Sequence, residues 1–338
     1  MKKNIKKIIK TIALIFAVVI TLVIFIFSYI NLPVNIPQEK ASLGITFSNR
    51  YAQDIGLDWR QAYVAMLDDL KVRDIRIPAY WDLIEKEEGI YDFSDLDWQL
   101  DQARERNARI ILAVGQKVPR WPECFIPEWL KNDDAKRKEK LIEFEKAIIG
   151  RYKNNSAVSV WQIENEPFLN FGICPQFDVD LLDREIQTVR NIDSSREIMI
   201  TDSGELSLWL PASKRADVFG TTMYREVITK KYGSWKYPIG PNFFKMKKNF
   251  IRIFDGQKNI KVIELQGEPW LDGWTTGFPL RDQFESMNAE KLKENIEFAK
   301  KTGIRDIYLW GAEWWYWLKV NRDHPELWNE AKILFNEN

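Results

Sequence analysis

Residues 158–167 read VSVWQIENEP, a short apolar run of strand character that ends in glutamates and a proline. Residues 261–270 read KVIELQGEPW and show the same arrangement near the C-terminus. Carboxylates buried at the ends of core strands cost free energy unless a site uses them. Two such strand ends, one in mid-chain and one late, are what a β/α barrel with a pair of catalytic carboxylates requires.

Outward from these two runs, the chain alternates short β-rich segments with longer amphipathic segments. The predicted strands are Leu43–Phe47, Asp74–Ile77, Arg109–Val114, Val158–Ile163, Ile198–Thr201, Val218–Met223, Lys261–Leu265 and Asp306–Trp310. Helical patterns lie between them at Trp59–Leu70, Leu96–Arg106, Lys138–Tyr152, Val179–Ile192 and Ala289–Lys301, with a short or irregular helix near Pro211. Eight strands alternating with helices predict a parallel sheet, and eight strands close a (β/α)8 barrel. We therefore expect one α/β barrel domain over residues 41–338.

The N-terminus has a different pattern. Met1–Lys10 carries five lysines and no acid, and Ile12–Ile30 is an uncharged apolar run. At 1.5 Å per residue this run spans roughly 28 Å, close to the thickness of the hydrocarbon core of a bilayer. The basic flank predicts a cytoplasmic N-terminus and an extracytoplasmic barrel, joined by an extended linker over residues 31–40. A cleaved signal peptide is the alternative, but the run lacks a small-x-small cleavage site, which favours a single-pass signal anchor in the cell membrane.

Composition narrows the classes of partner. Lys+Arg 49 balances Asp+Glu 49, so no global field favours nucleic acid. The 15 Trp, 11 Tyr and 19 Phe suit either a large aromatic core or a sugar site.

The two cysteines, Cys124 and Cys174, are too few for a disulfide scaffold and lack zinc-site spacing. Each follows one of two consecutive predicted strands, so a disulfide between neighbouring loops is the prediction, with two buried thiols as the alternative.

Chemistry in such barrels occurs at the C-terminal ends of the strands. The residues predicted there are polar, acidic or aromatic: Arg76, Gln116, Asn165, Glu166, Asp202, Glu205, Tyr224, Glu264 and Trp310. Gln266 and Glu268, in the segment after the seventh strand, are further candidates for contact with a substrate. This set predicts a carbohydrate site, and no glycine-rich phosphate loop follows the last two strands.

Cleaving a glycosidic bond needs a proton donor for the leaving oxygen and a carboxylate that faces the anomeric carbon. We predict that Glu166 is the acid/base and Glu264 the nucleophile, with Glu268 as the alternative nucleophile. Mutual repulsion should raise the pKa of Glu166, whereas Arg76 and the Tyr224 hydroxyl should favour ionised Glu264. When the two carboxyl groups lie about 5–5.5 Å apart, such a pair acts with retention of configuration.

Two motifs carry a family resemblance. The turn Asn165-Glu166-Pro167 after a fourth strand resembles the acid/base motif of clan A glycoside hydrolases, which include family 5 cellulases and family 42 β-galactosidases. Residues 75–85, IRIPAYWDLIE, and residues 88–93, EGIYDF, look like the strand-two region of the same clan. The similarity runs from about Gly44 to Trp315. Family 5 enzymes usually carry site histidines, but the one histidine here is His324, so the resemblance is to the clan.

The resemblance implies roles for single residues. It implies Glu166 as acid/base, Glu264 as nucleophile, Arg76 and Tyr224 as supports of the nucleophile, and Trp310 as the platform under the sugar. We further expect Asn165 to donate a hydrogen bond to the sugar 2-hydroxyl.

The sequence thus predicts a membrane-anchored barrel that hydrolyses a β-glycosidic bond of an extracytoplasmic oligo- or polysaccharide with retention, without a metal or organic cofactor. A transglycosylase that uses the same intermediate is a close alternative. A non-catalytic carbohydrate-binding protein is another, but such a protein gains nothing from two opposed carboxylates. The pattern leaves the sugar, the linkage and the oligomeric state open.

Overall fold

A computed structural model describes residues 2–37, 40–130, 133–229 and 233–337. Its strands are β1 (Ser42–Thr46), β2 (Asp74–Pro78), β3 (Arg109–Val114), β4 (Val158–Ile163), β5 (Glu197–Asp202), β6 (Val218–Met223), β7 (Glu226–Thr229), β8 (Gly233–Lys236), β9 (Ile260–Gln266) and β10 (Asp306–Trp310). All except β7 and β8 form a closed parallel barrel in chain order, in which β10 pairs with β1. The predicted α/β barrel is confirmed, and the ends of the eight predicted strands differ by at most one residue.

The helices are α1 (Lys2–Ile30), α2 (Asn49–Asp54), α3 (Trp59–Asp68), α4 (Trp81–Ile84), α5 (Ser94–Glu105), α6 (Asp134–Tyr152), α7 (Val179–Ile192), α8 (Leu210–Ser213), α9 (Pro241–Phe254), α10 (Leu280–Ser286), α11 (Ala289–Lys301), α12 (Ala312–Asn321) and α13 (Glu326–Glu337). Short 3₁₀ turns occur at Glu128–Leu130 and Thr275–Gly277. Side chains of Asp58, Asp133, Asp178 and Asn288 accept hydrogen bonds from first-turn backbone N–H groups, which fixes where α3, α6, α7 and α11 begin. The short α8 matches the irregular segment predicted near Pro211. The sequence pattern did not predict α9 or the β7–β8 hairpin.

The side chains of the strands form two packed layers, one inside the barrel and one between the strands and the helices. Successive side chains of a strand point to opposite faces, so one set fills the barrel and the other packs under the helices. The interior set is the buried cluster Ile111, Val160, Met199, Val218, Ile263 and Tyr308, one residue from each of six strands. Gly44 in β1 makes room for this layer, because a Cβ atom there would lie 2.8 Å from a ring carbon of Tyr308.

Helix α1 contains one span, Asn4–Ile30, that is long and apolar enough to cross a membrane by length and composition. Its C-terminal end rests on the barrel. Ile30 is buried, and Asn31 Nδ2 donates a hydrogen bond to Pro238 O at 3.3 Å. The predicted linker, residues 31–40, therefore starts in contact with the barrel instead of free in solvent, and its residues 38 and 39 lie outside the described part of the chain.

Candidate active site

A cavity of about 690 Å³ opens at the C-terminal ends of the strands, where a β/α barrel carries its chemistry. Five glutamates contribute to its wall: Glu123, Glu166, Glu205, Glu264 and Glu268. Aromatic side chains supply much of the remainder, among them Tyr51, Trp121, Phe171, Tyr224, Trp270, Trp274 and Trp310. The wall thus combines acidic groups with flat apolar surfaces, a combination that suits a sugar ring.

Glu264 lies near the end of β9 and is held at both carboxylate oxygens. Arg76 Nη1 pairs with Oε1 at 2.7 Å, and the Tyr224 hydroxyl donates to Oε2 at 3.0 Å. One cation and one hydrogen-bond donor thus fix the position of the carboxylate. Burial and the charge of Glu264 raise the pKa of Tyr224 well above its ordinary value, so its hydroxyl keeps the proton that it donates.

Glu166 lies in a different electrostatic environment, next to a hydroxyl group and other carboxyl groups. Thr222 Oγ1 donates to its Oε1 at 3.0 Å. Burial raises the pKa of Glu166 well above its ordinary value, and the charges of Glu264 and Glu123 act in the same direction. These surroundings favour the protonated form of the carboxyl group, the form that a general acid needs.

Strand β6 brings the two glutamates together. Thr222 is the register partner of Glu264 between β6 and β9, while its hydroxyl binds Glu166. Tyr224 follows two positions later, on the same side, and binds Glu264. Both carboxyl groups therefore flank one strand end and face one cavity.

A tight turn after β4 separates Glu166 from the neighbouring acid Glu164. Both residues adopt left-handed backbone conformations, with φ of 44° and 55°, which breaks the alternation of a regular strand. Glu164 accepts hydrogen bonds from the backbone N–H groups of Gln116 and Lys117, each at 2.8 Å, away from the cavity. Between the two acids, Asn165 Oδ1 accepts from Arg76 Nη2 at 2.6 Å. Glu166 therefore lines the cavity, whereas Glu164 holds two backbone N–H groups of the segment after β3.

Arg120, which the sequence pattern did not reveal, is buried in the cavity wall and forms an ion cluster with two glutamates. The Arg120 guanidinium lies between the rings of Tyr51 and Trp310, at 3.7 and 4.0 Å from their centroids. It pairs with Glu268 and, at 3.0 Å, with Glu313. Trp310 Nε1 donates to Glu268 Oε1 at 2.8 Å, which leaves Glu268 Oε2 buried with no hydrogen-bond partner among the described residues.

Glu123 is a second cavity residue that sequence reasoning missed. Its Oε2 accepts a hydrogen bond from Asn165 Nδ2 at 3.1 Å, and burial followed by the charge of Glu264 raises its pKa to about 8. The adjacent Cys124 forms a disulfide with Cys174, with Cα atoms 5.2 Å apart, which ties the loop after β3 to the loop after β4. Its position beside a cysteine that was itself a pairing candidate is the one signal that could have singled out Glu123.

Three predicted substrate contacts, Gln116, Asp202 and Gln266, do not line this cavity, and their contact with a substrate stays a prediction. The Gln116 side chain accepts from Arg137 on α6, and Asp202 Oδ1 accepts from the backbone N–H of Ser203. Gln266 Oε1 accepts from the backbone N–H groups of residues 225 and 226 at 2.8 and 2.9 Å, which fastens the β7–β8 hairpin. Each side chain satisfies nearby protein groups instead of facing the substrate space. Arg76 and Asn165 also lie behind the wall, whereas Glu205, Tyr224, Glu268 and Trp310 are on it.

The barrel fold agrees with the comparisons. The family model for glycoside hydrolase family 42, described as beta-galactosidase, matches residues 58–147. Beta-galactosidase LacA of Lactobacillus acidophilus is 24% identical over 201 residues, which are 52% of this chain and 30% of that protein. The matched segment is similar to glycoside hydrolase family 42. The matched part of the chain spans less than a third of the length of that curated relative.

Solved glycoside hydrolase structures share the barrel at low sequence identity. The beta-galactosidase from Bacillus circulans sp. alkalophilus is 12% identical, with a TM-score of 0.61 over 88% of this chain and 56% of that one. Xylanase 10B from Thermotoga petrophila RKU-1 is 14% identical, with a TM-score of 0.53 over 80% of this chain and 82% of that one. At these identities the likeness shows the fold alone.

Proposed function

We propose that this protein is a retaining β-glycoside hydrolase of clan A in which Glu166 is the acid/base and Glu264 the nucleophile. The observation that carries the proposal is that the two carboxyl groups face one cavity in different surroundings. Arg76 and the Tyr224 hydroxyl contact Glu264, whereas burial raises the pKa of Glu166.

In the first step, a Glu264 oxygen attacks the anomeric carbon while Glu166 gives its proton to the glycosidic oxygen. The bond to the leaving group breaks, an alcohol departs and a glycosyl ester remains on Glu264. Because the charge of Glu264 is then gone, one cause of the raised pKa of Glu166 disappears. Glu166 can now take a proton from water, whose oxygen attacks the anomeric carbon and releases the sugar with its original configuration.

The substrate proposal rests on the family match and on the cavity wall. β-Galactosides are the first candidates, because the matched family model is described as beta-galactosidase. Trp310 supplies a flat apolar surface, and the unpaired Glu268 Oε2 can accept a hydrogen bond from a sugar hydroxyl. We propose an extracytoplasmic oligo- or polysaccharide as the natural substrate, since the cavity is wide and its outer rim carries Trp121 and Trp274, both exposed.

We further propose that α1 anchors the protein in the cell membrane through residues 12–30, with the basic N-terminus in the cytoplasm and the barrel outside. The support is the length and apolarity of Asn4–Ile30 and the five lysines that precede the apolar run. The disulfide suits an oxidising compartment. Retention of the full chain after alkaline carbonate extraction supports the anchor, whereas a mature chain that lacks residues 1–30 indicates a cleaved signal peptide.

The hydrolase proposal is tested by a panel of aryl β-glycosides, with the full chain in detergent. We expect Glu166→Ala to lose about 10²–10⁴-fold in kcat/KM for a poor leaving group and less for an activated one, which needs no proton. Glu264→Ala should lose activity with every leaving group, and azide should restore turnover as a glycosyl azide of inverted configuration. Glu197→Ala is the matched control, because this exposed glutamate lies at the opposite end of a barrel strand.

Unchanged kinetics in either cavity variant would refute the assignment. Binding of oligosaccharides without turnover in the wild-type protein would favour a carbohydrate-binding function. Addition of an acceptor sugar distinguishes hydrolysis from transglycosylation, because only the latter produces a longer glycoside.

A further inference from the structure

Helix α9 has an apolar face that the barrel does not cover. Met246, Phe250, Ile253 and Phe254 recur at the spacing of one helical face, and all four are exposed. Ile253 and Phe254 have 71% and 64% of their surface in solvent. The barrel-facing side is apolar as well, where Phe244 and Ile251 are fully buried in the core. A helix on the outside of a soluble barrel would normally be polar on its outer face.

The same helix is strongly basic. Pro241–Phe254 contains Lys245, Lys247, Lys248 and Arg252 and no acid, in a chain whose charges balance overall. Lys247 and Lys248 donate to backbone carbonyl groups of neighbouring loops, which leaves Lys245 and Arg252 as the cations of α9 for the bilayer. Beyond its C-terminal end lies a cleft of about 430 Å³ whose wall includes Lys248, Arg252, Lys258 and Arg305, with Asp306 as its one acid among the described residues. Burial lowers the pKa of Lys248, and the neighbouring cations lower it further, as expected where positive charge accumulates.

The start of α9 adjoins the end of α1. Asn242 Nδ2 donates to Tyr29 O at 3.2 Å and to Leu32 O at 3.3 Å. A Cβ atom on Gly240 would lie 2.4 Å from Ile30 O, so the two backbones are in close contact. If α1 spans a bilayer, α9 begins at the outer surface of that bilayer.

We propose that the outer face of α9 docks on the bilayer surface, with the apolar stripe among the lipid headgroups and the basic flank against anionic lipids. This surface deepens the proposed function and rests on its membrane anchor. A basic helix with an exposed apolar stripe is the usual composition of a helix that lies in the interface plane. Three independent features point to lipid: exposed apolar area, cations without acids on the helix, and contact with the exit point of the anchor.

The docking has a geometric consequence for the active site. At 1.5 Å per residue, the 14 residues of α9 are about 21 Å long. Because α9 connects the C-terminal end of β6 to the N-terminal end of β9, it runs antiparallel to the strands along the barrel wall. With α9 flat on the bilayer, the barrel lies on its side and the cavity opens along the membrane surface. Glycans above the membrane can then enter the site, and the lipid does not block it.

The test uses the full chain in liposomes of phosphatidylcholine and phosphatidylglycerol that contain a lipid with a headgroup-level nitroxide. Because Cys124 and Cys174 are joined, single cysteines can be labelled with an environment-sensitive fluorophore. Ile253→Cys reports on the α9 face, and Glu105→Cys on exposed α5 is the matched control on the opposite side of the barrel. We expect a blue shift and several-fold stronger nitroxide quenching at position 253 than at position 105.

Equal quenching at both positions in a chain that resists carbonate extraction would overturn the docking and leave the anchor intact. A chain that carbonate extracts overturns both proposals. A blue shift at position 253 without lipid quenching would indicate a protein partner and overturn the docking.

The double variant Lys245→Glu/Arg252→Glu tests the role of charge. It should reduce quenching at position 253 in anionic vesicles while hydrolysis of a soluble aryl glycoside stays unchanged. Unchanged quenching would show that anionic lipid has no role in the docking.

Discussion

Arg76 Nη1 lies 2.7 Å from Glu264 Oε1, and the guanidinium has no exposed surface. The same side chain donates to Gln162 Oε1 at 2.7 Å and to Asn165 Oδ1 at 2.6 Å. One buried cation therefore connects the end of β4, which carries Glu166, to the proposed nucleophile on β9. In a buried environment such a charge-assisted contact holds both geometry and protonation state.

Removal of this cation should impair chemistry more than binding. We expect Arg76→Gln to lower kcat by orders of magnitude with a smaller change in KM, and breaking a buried pair costs about 3–5 kcal/mol of stability. Arg109→Gln, which breaks the pair of an exposed arginine with Asp74, is the control. An unchanged kcat in Arg76→Gln would contradict this function of Arg76.

The basic limb of the pH–rate profile should belong to Glu166. Its raised pKa means that the proton donor is present below that pKa and is lost as the pH rises through it. The pKa of Glu123 is raised to about 8, and above that pH its charge adds to the repulsion that Glu166 meets. We expect Glu123→Gln to retain activity at neutral pH and to move the basic limb to lower pH. A shift to higher pH would show that Glu123 does not act through Glu166.

Glu268 should contribute to substrate binding and not to bond formation. Its carboxylate is paired with Arg120 and Trp310, and its one unpaired oxygen suits a sugar hydroxyl. We expect Glu268→Gln to raise KM roughly 10-fold or more, as the loss of a charged hydrogen bond of about 1.5–3 kcal/mol implies. Azide should restore nothing in this variant. Rescue by azide would transfer the nucleophile assignment to Glu268.

Three buried glutamates behind β4 should make stability depend on pH. Glu145, Glu164 and Glu185 lie together, and burial followed by their mutual charges raises the pKa of Glu145 and Glu185 well above the ordinary value. The native state binds these protons more tightly than the unfolded state, so their contribution is complete below the unfolded pKa and is lost as the pH rises through the folded pKa. Glu185→Gln should flatten the fall in the free energy of unfolding at alkaline pH, measured by urea titration. An unchanged slope would contradict it.

The sequence pattern was sufficient to predict the barrel and the two glutamates that line the cavity. Strands such as Val158–Ile163 are mainly apolar, and an acid buried at the end of such a run costs free energy. It needs either a site or hydrogen bonds such as those that Glu164 accepts from two backbone N–H groups. Gln266 also lies at a strand end but binds two backbone N–H groups of the hairpin. A side-chain amide can form hydrogen bonds with protein groups and with sugar hydroxyls equally well. The position of Gln266 at a strand end therefore does not predict which of them it binds.

Arg120 and Glu123 could not be predicted for a different reason. Both lie in the long segment after β3, where no periodicity indicates which side chains turn inward. Their burial depends on contacts with Glu268, Glu313 and Asn165, which come from distant parts of the sequence. The exposed face of α9 was missed because its apolar residues resemble core positions until the packing shows which side the barrel covers.

The central claim is that Glu264 forms the covalent intermediate. A 2-deoxy-2-fluoro β-glycoside with a good leaving group slows the second step, so the glycosyl ester accumulates. Proteolysis and mass spectrometry of the trapped protein then identify the modified residue. We predict one added glycosyl group on Glu264, within residues 261–266. A label on Glu268 or Glu166, or complete turnover to a product of inverted configuration with no trapped ester, would contradict it.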